Sequence, residues 1–228
     1  KFKKLSQSII QTFYINLDHR KDRKHEIQEE FLGLGNHIHL HRISAVKHKI
    51  GGIGCTMSHI KLLKKVMKEY KELPYILVIE DDFMFRENKY EAMNKIYNTI
   101  NALKNDWDVI VINAPMSSTK TNLDKKLNLD RIKEVQTTCG FIVNKRYYKT
   151  LLNNFEEGLR KFNSEILKLP ISKQSILHGP GTEIYNKYAI DQYWKKLQKK
   201  DKWYLVNVAK QRDNYSDIEQ VNTLRPNF

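Results

Sequence analysis

Three consecutive carboxylates, Glu80, Asp81 and Asp82, follow the apolar run Tyr75-Ile76-Leu77-Val78-Ile79 without a spacer. Carboxylate oxygens are hard ligands suited to Mg2+ or Mn2+, ions that complete their shells with water and phosphate oxygens. A bridged diphosphate is the natural partner of such a strand end. Three adjacent charges repel one another there unless a cation or a basic side chain compensates. A solvated acidic turn or a helix cap is the plainer alternative. Strand alternation sends Glu80 and Asp82 to one side and Asp81 to the other.

Other residues could join that chemistry. Arg20 and Arg23 follow a first apolar segment, where guanidinium groups could hold a phosphate or form surface salt bridges. Ser58 and His59 stand near a helix start beyond the glycine-rich stretch Gly51-Gly52-Ile53-Gly54, whose amides could face an anion. His178, in the segment His178-Gly179-Pro180-Gly181, is a further candidate metal ligand. Asp191 is a lone acid in an expected helix, where a surface position is the ordinary outcome.

Alternating strands and helices must position these groups. Ile9 to Leu17 reads as a buried strand, followed by a helical run from Lys24 to Leu32 and a half-buried strand from His37 to Ile43. Gly51 to Gly54 reads as a flexible loop before a helix from Thr56 to Glu72, closed by Pro74. Tyr75 to Ile79 suits a central parallel strand buried on both faces. Asn88 to Leu103 is an amphipathic helix, and Trp107 to Asn113 a second buried strand. The polar segment from Ser117 to Asp130 reads as a surface excursion. Thr137 to Val143 is a strand, Tyr147 to Leu152 starts a helix, Glu183 to Leu197 is a helix, and Trp203 to Val208 is a last strand. The pattern predicts an α/β domain with a mainly parallel central sheet flanked by helices, spanning residues 1–228 with a core of about 9–219. Ligands of such sheets collect at the carboxyl ends of strands.

Composition adds boundaries. Lys and Arg exceed Asp and Glu by 14, a balance that favours anionic ligands and allows peripheral membrane contact through a basic surface. Solvated lysines such as Lys61, Lys64, Lys65 and Lys68 explain much of it. Two cysteines are too few for a disulfide framework. With no apolar span or leader in the sequence, a soluble or peripheral protein is expected, the cytoplasm being favoured. There is no phosphate-loop GxxxxGK[ST], no G-x-S-x-G elbow, no HExxH and no CxxC pair.

Taken in order, the segments Phe13 to Arg23 (FYINLDHRKDR), Gly54 to His59 (GCTMSH), Ile76 to Phe83 (ILVIEDDF), Asp106 to Asn113 (DWDVIVIN), Thr137 to Leu152 (TTCGFIVNKRYYKTLL), Ala189 to Trp194 (AIDQYW) and Ser216 to Glu219 (SDIE) resemble glycosyltransferase family 25. That family includes bacterial lipopolysaccharide sugar transferases and collagen hydroxylysine galactosyltransferases. The resemblance implies a GT-A type, Rossmann-like fold and transfer of a hexose, galactose or glucose, from a UDP-sugar to an acceptor hydroxyl with inversion. It also implies Mn2+ or Mg2+ as cofactor and a glycan, lipopolysaccharide or hydroxylysine-type acceptor, with no specific nucleic acid.

Carried over by position, Glu80, Asp81 and Asp82 correspond to the acidic motif for the metal and donor diphosphate. Asn16, Arg20 and Arg23 correspond to donor-binding residues, Ser58 and His59 to the Ser-His pair, and Asp191 to the acid of a PVD-like motif, here Ala189-Ile190-Asp191. Asp191 is the expected general base. Gln211, Ser216 and Asp217 are weaker candidates for donor or acceptor contacts. Two rivals use the same residues: a metal-dependent phosphoryl-transfer enzyme or nuclease, and a noncatalytic glycan-binding relative.

Overall fold

The computed structural model describes residues 9–114, 120–124, 129–170, 182–216 and 221–223. Strands β1 (Ile10–Asn16), β2 (Ile38–Ser44) and β3 (Tyr75–Glu80) lie side by side in parallel. The short β4 (Phe83–Phe85) leaves the sheet, which continues through β5 (Val109–Val111), β6 (Lys120–Asp124), β7 (Leu129–Ile132), β8 (Gly140–Asn144) and β9 (Trp203–Val206). The order is β2-β1-β3-β8-β5-β9-β7-β6. Only β8 and β7 run against the rest, so six of the eight strands point one way.

Helices α1 (Lys21–Glu30) and α3 (Lys89–Leu103) cover one face, and α2 (Gly51–Glu69) and α4 (Tyr148–Leu167) cover the other. Parity along β3 shows why its sequence is apolar throughout. Leu77 and Ile79 enter the core with Ile27 and Ile96, whereas Ile76 and Val78 enter the core with Leu63 and Phe155. A strand buried on both faces cannot alternate with polar residues. The same parity decides where the acids that follow must go.

The structure corrects three expectations. Gly51 to Gly54 is the first turn of α2, not a loop. Its glycines serve close approach: a Cβ at Gly54 would meet the Val46 carbonyl oxygen at 2.7 Å, and one at Gly52 would meet the Tyr185 ring at 2.7 Å. The polar stretch after Ser117 contains the hairpin strands β6 and β7, which extend the sheet beyond β9. The expected helix over Glu183 to Leu197 is divided into Glu183–Tyr188, Ile190–Tyr193 and Lys195–Gln198. The break lies at buried Ala189, whose extended backbone turns the chain so that Ile190 and Trp194 enter the core. Beyond β9, β10 (Ala209–Gln211) pairs antiparallel with β4, and β11 (Asn214–Ser216) pairs with β12 (Val221–Thr223). No helix among the described residues is long and apolar enough to cross a membrane.

Candidate active site at the carboxyl edge of the sheet

Strand β3 ends at Glu80, and Asp81 and Asp82 form the turn into β4. The alternation expected to align Glu80 with Asp82 therefore stops before Asp82. Glu80 keeps the parity of Ile76 and Val78 and meets α2, whereas Asp81 keeps that of Leu77 and Ile79 and meets α1. Asp82 turns toward the C-terminal part of the chain.

Glu80 Oε1 accepts hydrogen bonds from the Thr138 hydroxyl at 2.7 Å and from the Cys55 thiol at 3.6 Å, and lies 3.1 Å from His59 Nε2. Burial works against the Glu80 carboxylate, but His59, Thr138 and Cys55 together outweigh it, and the group titrates below the ordinary glutamate value. His59 is held flat against Phe141 and edge-on to Phe155, with its side chain 1% exposed. Ser58 is spent on the backbone: its hydroxyl donates to the Gly54 carbonyl at 2.7 Å and accepts from the Val46 amide at 2.8 Å. That arrangement pins the segment after β2 to the start of α2.

Asp81 accepts from Asn16 Nδ2 at 2.7 Å and from Arg23 Nη1 at 2.9 Å. Asn16 also donates to the Arg20 carbonyl at 3.0 Å and accepts from Arg42 Nε at 2.9 Å, so one amide ties the ends of β1, β2 and β3 to the start of α1. Arg20 reaches Asp22 through its guanidinium at 2.7 Å. Burial lifts the Asp81 carboxyl above its usual range, opposed by Arg23 and Asn16. Both side chains of the Arg23–Asp81 pair are only 10% exposed, so removing one partner leaves a buried charge. Arg23→Ala is expected to cost about 3 to 5 kcal/mol near neutral pH. The sign of the pH dependence follows from Asp81: its carboxyl, raised further without Arg23, takes up a proton as pH falls, and the deficit shrinks. Urea denaturation at neutral and mildly acidic pH measures both effects, and a deficit that grows on acidification contradicts the assignment.

Asp82 carries the third set of contacts. Gln211 Nε2 donates to its Oδ2 at 3.2 Å, and the Arg212 amide donates to its carbonyl at 2.6 Å. Arg212 in turn reaches Glu30 at 3.1 Å, so the segment after β9 is strapped across β4 to α1. Asp82 is half-buried, on the turn rather than in the sheet.

Asp191 belongs to the same edge. Its Oδ2 accepts from the Thr137 amide at 3.0 Å. Burial raises the Asp191 carboxyl, the Thr137 amide opposes this, and the Glu80 charge raises it further, which places the two acids within electrostatic reach. Thr137 has φ of 80°, a rare conformation for a β-branched residue. Two hydrogen bonds hold it there: its amide is fixed by Asp191, and its hydroxyl accepts from the Cys139 amide at 3.3 Å. The turn delivers the neighbouring Thr138 hydroxyl to Glu80.

The tertiary structure thus assembles Asn16, Arg23, His59, Glu80, Asp81, Asp82 and Asp191 around the carboxyl ends of β1 and β3. His178 and Asp217 lie outside the described residues, and for Ser216 only the strand is described. Sequence reasoning missed Cys55, Thr138 and Arg42 as members of this cluster. Cys55 and His59 are one helical turn apart and so share a face of α2, a spacing visible in the sequence. Thr138 and Arg42 had no comparable signal, since their partners are brought to them by sheet pairing.

Residues 50–162 match the family described as Glycosyltransferase family 25 (LPS biosynthesis protein). No curated protein matches the sequence. Among solved structures, A197 from STIV is similar at 12% identity and a TM-score of 0.47, over 89% of this chain and 84% of that one. A glycosyltransferase involved in glycosylation of the major capsid of PBCV-1 is similar at 10% identity and a TM-score of 0.44, over 87% of this chain and 92% of that one. Mannose-1-phosphate geranyltransferase from Thermus thermophilus is similar at 9% identity and a TM-score of 0.45, over 89% and 75% of the respective chains.

Proposed function

Because residues 50–162 match glycosyltransferase family 25, we propose that this chain transfers a hexose, galactose or glucose, from a UDP-sugar to an acceptor hydroxyl, with inversion at the anomeric carbon and dependence on Mn2+ or Mg2+. The observation that carries this reading is the division of labour among the three acids. Glu80 and Asp81 are bound into the protein by His59, Thr138, Asn16 and Arg23, while Asp82 stands on the turn beyond the strand. The donor set fits the implied ion, since Mg2+ and Mn2+ require only one or two protein carboxylates when a diphosphate supplies the remaining oxygens. Asp82 would hold it, and bound there the cation would neutralise charge on the departing diphosphate.

The chain's own residues do the rest. Asn16 and Arg23 fix the end of β1 against Asp81 and so shape the floor on which the nucleotide would lie, consistent with a GT-A type arrangement. Asp191 serves as general base, taking the acceptor hydroxyl's proton as its oxygen attacks the anomeric carbon. Its raised pKa suits that task, since a base whose pKa approaches the working pH transfers protons with less penalty. A glycan, lipopolysaccharide or hydroxylysine-type acceptor supplies the hydroxyl.

UDP release measured over a panel of UDP-sugars, with Mn2+, with Mg2+ and with chelator, tests the reading. Release from UDP-galactose or UDP-glucose that requires the cation is expected. No release from any UDP-sugar with either ion, from folded protein with candidate acceptors present, would sink it.

A further inference from the structure

One group of described residues brings a thiol, an imidazole and a carboxylate together: the ligating atoms of Cys55, His59 and Glu80 all lie within 4.8 Å of one another. Cys55 and His59 project from one face of α2, one turn apart, and Glu80 meets them from the end of β3. The Cys55 sulfur is 3.6 Å and the His59 Nε2 is 3.1 Å from Glu80 Oε1. Those are near the separations between neighbouring ligands of a tetrahedral ion, for which metal–sulfur bonds are about 2.3 Å and metal–nitrogen or metal–oxygen bonds about 2.0 Å.

We propose that Cys55 Sγ, His59 Nε2 and a Glu80 carboxylate oxygen form a binding site for a thiophilic divalent cation of the Zn2+ class, separate from the donor-diphosphate cation at Asp82. The charges support this ligand set. A thiolate and a carboxylate neutralise a divalent ion, and neutral imidazole completes three protein ligands, leaving one tetrahedral position for water or another donor. Binding displaces the Cys55 thiol proton to solvent as the metal–sulfur bond forms, while His59 coordinates as the tautomer protonated on Nδ1. Thr138 supports the Glu80 carboxylate at 2.7 Å, in the manner of an outer-shell partner that orients a ligand. Mn2+ and Mg2+ prefer oxygen, so the soft sulfur gives this site a selectivity opposite to that of Asp82.

The test uses the full chain, stripped of metal by chelator and titrated with Co2+ alone. One equivalent is expected to give a thiolate-to-cobalt band in the near ultraviolet, which Zn2+ abolishes by displacement. Competition with a chromophoric chelator should show Zn2+ affinity falling at least tenfold in Cys55→Ser and in His59→Gln, whereas Asp82→Asn and Cys139→Ser leave affinity and band unchanged. A band that survives Cys55→Ser, or one that disappears only in Cys139→Ser, overturns the assignment. Absence of the band from the wild-type chain also overturns it, and that readout holds even if a variant fails to fold. The site and the transferase reading fail separately. Thiolate-bound Co2+ without UDP release from any donor removes only the latter, and Mn2+-dependent UDP release without a thiolate band removes only the former.

Discussion

Asp82→Ala is expected to reduce sugar transfer by about a thousandfold or more while leaving the fold in place. The two effects separate because of what Asp82 touches. The hydrogen bond its side chain accepts from Gln211 is long, at 3.2 Å, whereas the contact that shapes the turn, from the Arg212 amide at 2.6 Å, goes to its backbone carbonyl and survives the substitution. Loss of that side-chain bond costs about 1 kcal/mol. The carboxylate is also the residue proposed to carry the donor cation, so the variant should lose its response to Mn2+ along with its rate. Wild-type turnover in this variant with chelator present would remove Asp82 from the metal site. A thermal melt several degrees lower would instead place the residue in the structural framework.

Asp191→Asn is expected to lower kcat/KM by about a hundredfold to ten-thousandfold, the range for loss of a general base. Its pH behaviour has a definite sign. The base works deprotonated and its carboxyl is raised by burial and by Glu80, so the wild-type rate should climb with pH through a value above that of an ordinary aspartate. The variant should lack that acid limb. Stability should move the other way, because a folded-state pKa above the unfolded value makes the ionised form costly in the fold at higher pH. Asparagine removes that cost and keeps an oxygen for the Thr137 amide, so near neutral pH the variant should be no less stable than the parent. An acid limb that persists unchanged in Asp191→Asn would assign the base elsewhere.

Much of the architecture was legible in the residues because burial on two faces leaves a plain mark. The run Tyr75 to Ile79 suits an interior strand, and the parity of its residues already sent Glu80 and Asp81 to opposite sides, which the structure shows to be the two helical layers. Periodicity likewise indicated the amphipathic helix after Asn88, whose side-chain oxygen caps it by accepting from the Tyr90 amide at 3.0 Å. The glycine turn of α2 was not legible. Glycine disfavours a helix on propensity, and only the close approach of Val46, His48 and Tyr185 explains its presence there. The pair β6 and β7 was also hidden, since the short segments Lys120–Asp124 and Leu129–Ile132 show no sustained apolar alternation to declare them.

The residue types themselves determined that this chain is an α/β protein with an acidic strand end, two arginines behind the first strand and a later acid able to join them. Order along the chain also carried the resemblance to a glycosyltransferase family, which the match over residues 50–162 supports. Only the tertiary structure decided which neighbours each acid meets. Glu80 and Asp81 are claimed by α2 and α1 because a strand must give alternate side chains to opposite layers. Asp82 escapes both layers because the strand ends too soon to hold it. The nearness of Asp191 to Glu80, and of Cys55 to both, arises from helices packing on a shared sheet face, and no local spacing in the sequence encodes that distance.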